Sequence, residues 1–295
     1  MKIKLSRSDF IYYFIAYTVV SVLVLIVLYP MVFIVSASFS TAAQVTMGKV
    51  WFLPVKPTLY NYKMVLQYRS IYIGYRNTMF YTFVGTLINV VVTLLCAYPL
   101  SRKGLFGRGF FTFLFTFTMI FSGGMIPSYI LMRNLKLLNT VWSMLLPGAI
   151  GVTNMIVTRT FFQNSIPLEL LEASKLDGCS DAQYFFKILL PLSHAVIAVI
   201  TLFYAVGHWN AYFNAFLYLS NRNLYPLQLF LRQILVQNQF SSEILEDPEM
   251  AEQLFGIQEV LKYAVIVVST APLMCFYPFA QKHFVTGVMI GSLKG

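Results

Sequence analysis

The chain has 295 residues, 58% of them hydrophobic and only 11% charged, with a formal net charge of +10. A mean hydropathy of +0.70 excludes an ordinary soluble domain and points to a polytopic membrane protein in a lipid bilayer. The positive charge is not read as nucleic-acid binding, because the Lys and Arg residues are scattered and juxtamembrane placement accounts for them.

At the N-terminus Lys2, Lys4 and Arg7 precede an apolar run from Phe10 to Phe39. The apolar core of a secretory signal is about 7–15 residues and this run is roughly twice that, so a retained membrane helix is expected. A span needs about 20 mostly apolar residues. Six stretches qualify: Phe10–Ser36, Asn77–Leu100, Phe110–Leu131, Thr140–Phe162, Leu192–Leu219 and Val260–Ala280. The expected fold class is all-α, with six transmembrane helices in one domain over residues 1–295.

The connections differ in character. The long connection 41–76 holds "TLYNYKMVLQYRS", which suits a short interfacial helix. The 101–109 loop is short and carries Arg102, Lys103 and Arg108; Arg133–Asn139 is a short turn. The long connection 221–256 carries the acidic residues Glu243, Glu246, Asp247, Glu249 and Glu252. Cys96, Cys179 and Cys275 are far apart and form neither a metal pattern nor a disulfide framework. Lys plus Arg counts are nearly balanced between the two sides, but the dense basic clusters at 2–7 and 102–108 favour the cytoplasm for both termini and the 101–109 loop, with 41–76 and 221–256 expected outside.

The segment Glu169–Pro191, "ELLEASKLDGCSDAQYFFKILLP", departs from this greasy background. No Asp or Glu occurs between Asp9 and Glu169, yet six charged residues fall between Glu169 and Lys187. Each Asp, Lys or Arg at mid-membrane costs about 2.5–3.5 kcal/mol, so the segment is expected outside the bilayer, on the cytoplasmic side. It also has helix punctuation. Pro167 suits a first turn, and Glu169 and Glu172 suit the positive end of a helix dipole. Gly178 can take the left-handed stop. Ser180 with Gln183 spells a capping box, and Phe185, Ile188 and Leu189 share one face. Pro191 is expected to open the next membrane helix. Ala173, Ser174 and Gly178 are small enough to admit a partner surface; spacing alone fits a capped, partnerless loop equally well.

Within the spans the polar residues are Asn89, Asn154, His194, His208, Asn210 and Asn214. Such groups either line a pathway or act as interhelical hydrogen-bond glue. Asn210 and Asn214, spaced i, i+4 on one helix face and flanked by Trp209 and Tyr212, are the strongest pathway candidates, with Asn154 beside them. Amides and aromatic faces together suit sugar recognition.

The pattern Glu172, Ala173, Ser174, then Gly178, then Ile188, Leu190 and Pro191 resembles the EAA loop of binding-protein-dependent ABC importer permeases, with Ser174 replacing the second Ala. "FSGGMIPSYILMRNLKLLNT", "HWNAYFNAF" and "HFVTGVMIGSLKG" extend the resemblance to the smaller membrane subunit of maltose-type carbohydrate importers. "GGMIPSY" is similar to importers of polysaccharide-derived oligosaccharides, uronate-containing ones included. The resemblance implies a type I importer permease fold in a bacterial inner membrane. The coupling loop, about 164–190, would meet an ATPase dimer through Glu172, Ala173, Ser174, Gly178 and Pro191. Gly291 and Lys294 of the C-terminal tail would lie near that ATPase. The implied partners are a second homologous permease subunit, the ATPase dimer, an extracytoplasmic solute-binding protein and an oligosaccharide substrate. No cofactor is expected in this chain, with ATP and Mg on the ATPase.

Two observations agree without the resemblance. No GxxxxGK[ST] loop occurs, so ATP is not bound by that route. No span interior carries Asp or Glu, which counts against the alternative of an ion-coupled secondary transporter. A membrane-embedded enzyme is disfavoured by the lack of HExxH, of clustered carboxylates and of a triad.

Overall fold

In the computed structural model of the chain the described residues are 7–237 and 260–275. They form α1 (Arg7–Ser38), α2 (Ala42–Thr46), α3 (Tyr60–Gln67), α4 (Arg69–Ser101), α5 (Arg108–Ile120), α6 (Met125–Asn134), α7 (Trp142–Leu145) and α8 (Val152–Asn164). There follow α9 (Leu168–Leu176), α10 (Asp181–Tyr184), α11 (Leu190–Leu192), α12 (His194–Trp209), α13 (Phe213–Tyr218) and α14 (Leu227–Gln237). A last apolar helix, α15, covers Val260–Cys275. A π-helical turn over Phe185–Leu189 joins α10 to α11. No strand occurs among the described residues, so the all-α expectation is met.

Of the six apolar stretches, two are unbroken helices. α1 has 32 residues and α4 has 33, each about 50 Å long at 1.5 Å per residue, more than a bilayer core requires. Three of the others are interrupted, because hydropathy reports apolar length and not helical continuity. The 110–131 stretch is α5 and α6, bent by 114°. The bend falls at Gly123–Gly124, where Gly124 has φ +86°, a left-handed backbone that favours glycine. The 140–162 stretch is α7 and α8 with residues 146–151 between them. Pro147 lacks an N–H donor there and Gly148 has φ +75°. In the 192–219 stretch, α12 ends at Trp209 and α13 begins at Phe213. α15 covers the described part of 260–280.

The described residues fall in two compact units, one within Met1–Arg69 and Leu231–Thr270, the other within Ser70–Phe230 and Ala271–Gly295. In the first, the end of α1 is tied to the following loop. The Asn61 amide donates to the Ser38 and Ser40 carbonyls, both at 2.9 Å, and the Ser36 hydroxyl donates to the Phe52 carbonyl at 2.6 Å. The helix expected within "TLYNYKMVLQYRS" is α3.

In the second unit α4 is the central post. One core joins its Leu94, Ala97 and Leu100 to Met155 and Phe162 of α8, to Tyr184, Phe185 and Leu189, and to Val196, Ile200 and Tyr204 of α12. A second core gathers Tyr81, Met144, Leu145, Ala215, Leu219 and Leu229. The helix interruptions leave backbone groups that must be satisfied inside protein at membrane depth, and polar side chains of α4 do this. Asn89 donates to the Gly148 and Ala149 carbonyls at 3.0 and 2.9 Å. Asn77 donates to the Asn223 and Tyr225 carbonyls, and Tyr81 to the Leu224 carbonyl. The Leu227 N–H donates to the Thr78 hydroxyl at 2.8 Å.

Candidate coupling segment and polar interior

The 167–192 segment folds as helix, glycine bend, helix. Pro167 precedes α9, Glu169 lies in its first turn and Lys175 in its last. At its end the Asp177 N–H donates to the Ala173 carbonyl, the Gly178 N–H to the Lys175 carbonyl and the Cys179 N–H to the Ser174 carbonyl. Gly178 has φ +76°, and a Cβ built on it meets no atom within 4 Å. Glycine is therefore set there by backbone conformation, not by crowding within the chain. The capping box is formed both ways. The Gln183 N–H donates to the Ser180 hydroxyl at 3.3 Å, and the Ser180 N–H donates to the Gln183 side-chain oxygen at 3.0 Å.

The two faces of the segment differ. Glu169, Glu172, Ala173 and Gly178 are exposed, as is Leu176 at 90%. Ser174 departs from the expectation of a small residue open to a partner. It is buried, and its hydroxyl donates to the Leu171 carbonyl at 2.8 Å, so its size serves the chain's own packing. Pro191 also departs from expectation. It lies inside α11, and the next apolar helix starts after an 80° bend, at His194. Tyr184, Phe185 and Leu189 are buried in the core shared with α4, α8 and α12, which fixes the segment to the unit. Gly291 and Lys294 lie outside the described residues.

The C-terminal carbonyls of α4 collect donors. Arg108 and Arg159 each donate Nε–H to the Leu100 carbonyl, at 3.0 and 3.1 Å, and Gln163 donates to the Ser101 carbonyl at 3.2 Å. Cations at a helix C-terminus complement its dipole.

The pathway candidates divide. Asn154 is half-buried on α8, and its carbonyl accepts from the Thr158 hydroxyl at 2.7 Å. Trp209 is buried, 6.4 Å from the Tyr75 ring. Asn210 ends α12, exposed, with its amide donating to the Val206 carbonyl at 3.0 Å. Tyr212 is exposed in the interruption, and Asn214 is half-buried in α13. The expected single helix face for Asn210 and Asn214 is thus absent, because the helix breaks between them. Asn89 and His208 serve as glue, with His208 Nε2 and Asn89 Oδ1 2.6 Å apart. The sequence reading missed Tyr204, whose hydroxyl lies 2.7 Å from that of Thr93 and accepts from the Gly151 N–H at 2.9 Å. It also missed Asn139, which accepts from the Ser220 and Asn221 N–H groups. The Pro147–Gly148 pair was the signal for the break that Tyr204 helps to satisfy, whereas no local pattern marks Asn139, which serves residues 220 and 221.

With this geometry in view, comparison with known proteins is decisive. Residues 89–289 match the family described as binding-protein-dependent transport system inner membrane component. The chain belongs to that family. Among its relatives, the polygalacturonan/rhamnogalacturonan transport system permease protein YtcP of Bacillus subtilis is 43% identical over 272 residues, 92% of this chain and 94% of the relative. Protein LplC of the same organism is 39% identical, over 92% of this chain and 90% of the relative. A crystal structure of a bacterial ABC transporter involved in the import of the acidic polysaccharide alginate contains a chain that superposes with a TM-score of 0.88 at 35% identity. The match covers 96% of this chain and 100% of that one. The fold is that of a type I importer permease. As an inner membrane component of a binding-protein-dependent ABC system, this permease is a transport subunit and not an enzyme, and the system includes an ATPase and a solute-binding protein.

Proposed function

We propose that the chain, as one permease domain over 1–295, pairs with a second homologous membrane subunit to import acidic oligosaccharides, uronate-containing ones foremost. The observation that carries the substrate class is full-length similarity to a polygalacturonan/rhamnogalacturonan permease, supported by similarity to a chain of an alginate importer. The charge pattern, which juxtamembrane placement accounts for equally well, is compatible with an anionic cargo. The chain is +10 overall and has no acidic residue between Asp9 and Glu169.

In this reading both termini and the 167–192 segment face the cytoplasm. The exposed face of α9, with Glu172 and Ala173, and the Gly178 bend dock on the ATPase. Closure of the ATPase dimer then moves the segment, and its buried residues Tyr184, Phe185 and Leu189 pass the movement into the core. The Asn154, Trp209, Asn210, Tyr212 and Asn214 positions flank helix interruptions and supply amides and ring faces toward the cargo. An ion-coupled carrier is the weaker reading, since the spans hold no carboxylate.

The test is ATPase stimulation in the complex of this chain, its companion permease, the ATPase and the binding protein, against a panel of neutral and uronate oligosaccharides. Stimulation by uronate oligosaccharides is expected. Stimulation by neutral sugars alone would contradict the acidic-cargo reading.

A further inference from the structure

Arg102 is the first residue past α4. Its guanidinium carbon lies 4.7 Å from the ring centroid of Tyr98 on α4 and 4.9 Å from that of Tyr184 on α10. The two rings stack at 6.4 Å with an interplanar angle of 27°. Phe185 adds a third ring, 5.1 Å from Tyr98. Arg102 Nε and Nη2 and the Tyr184 hydroxyl are buried with no hydrogen-bond partner among the described residues. Among the described residues no carboxylate lies within salt-bridge distance of Arg102; the nearby Asp181 is 4.0 Å from Lys175. A half-buried guanidinium held by ring faces is an unusual choice where a carboxylate would give a stronger, directional pair.

The choice has a mechanical consequence. A carboxylate fork fixes one geometry and breaks when its partners shift. The negative face of an aromatic ring attracts a cation over a broad area, so the contact survives sliding and tilting. We infer that Arg102 is a positioning residue that tethers the 181–192 helix to the end of α4 through the Tyr98 and Tyr184 rings, keeping the two elements engaged while the coupling segment moves. This rests on the coupling reading given above.

The test compares Arg102→Gln, which removes the cation, with Arg102→Lys, which keeps it, in the full complex reconstituted in liposomes. The readouts are sugar imported per ATP hydrolysed and retention of the ATPase on purification. Arg102→Gln is expected to lower sugar per ATP several-fold, the scale of a half-buried cation–ring contact, while Arg102→Lys recovers most of it. Both variants should retain the ATPase. Wild-type stoichiometry in Arg102→Gln, equal loss in Arg102→Lys, or loss of the ATPase from the complex would each overturn the tether. If the Arg102→Gln chain does not fold or insert into the membrane, Tyr184→Phe and Tyr184→Leu give the same discrimination. Phe keeps the ring and should keep coupling, Leu should not, and equal coupling overturns the proposal. Absence of ATP-driven uptake in the wild-type complex would instead refute the transport reading itself.

Discussion

Gly178 and Asn89 are single residues with opposite surroundings, and they separate coupling from stability. Nothing in the chain lies within 4 Å of a Cβ placed on Gly178, so a side chain there costs only the strain of a left-handed backbone, about 1 kcal/mol. Gly178→Asp is expected to insert and fold but to lose uptake, because the added charge meets whatever docks at the bend. Gly178→Asn, which tolerates the same backbone, isolates the steric part. Wild-type uptake by Gly178→Asp in vesicles would remove the bend from the docking surface. Asn89 is 2% exposed and serves three partners, Gly148, Ala149 and His208. Asn89→Leu strands these groups and should lower stability by about 1–3 kcal/mol, read as a lower melting temperature of the purified chain. Asn210 is exposed, and among the described residues its amide bonds locally, to the Val206 carbonyl. Asn210→Leu should leave the melting temperature nearly unchanged and lower uptake more than basal ATP hydrolysis. A large stability loss would return it to a packing role.

At the scale of elements, legibility in the sequence followed from how local the determining physics is. The α9–Gly178–α10 punctuation was readable because caps and bends are set by residues within one turn of each other: Glu169 in the first turn, the left-handed Gly178 and the Ser180–Gln183 capping box are present, while Pro167 stands one position earlier than expected, before the helix. Ser180→Ala removes one half of the capping box and should destabilise α10 by about 1 kcal/mol, seen as faster amide exchange over 181–184. Protection equal to wild type would mean that burial of Tyr184 alone holds this turn. The spans were readable as apolar lengths, but their interruptions were not, because they depend on side chains far away in sequence. Gly85 illustrates this. A Cβ on it would fall on the His208 ring, which α12 brings against α4. Gly85→Ala should therefore displace that ring from Asn89, at about 1–3 kcal/mol. Combined with Asn89→Leu, the loss should be less than the sum, since both act on His208. Strict additivity in thermal melts would contradict the shared-partner account. Ser174 was misread for the same reason: its small side chain faces the chain's own interior, a fact no local pattern encodes.

For the whole molecule, the chain's apolar stretches, its broken helices held by amides from α4, and its full-length match to permeases of acidic-polysaccharide systems belong to one account. The spans offer a polar interior with no carboxylate of their own. As a component of a binding-protein-dependent ABC system the chain works with an ATPase, and the charged 167–192 segment is where we propose that its energy enters. The most direct measurement is uptake of labelled uronate oligosaccharide into proteoliposomes holding this chain, its companion permease and the ATPase, with binding protein outside and ATP inside. The account predicts ATP-dependent accumulation that Gly178→Asp abolishes while the ATPase still hydrolyses ATP. Accumulation driven by an ion gradient without ATP, or undiminished in Gly178→Asp, would contradict it.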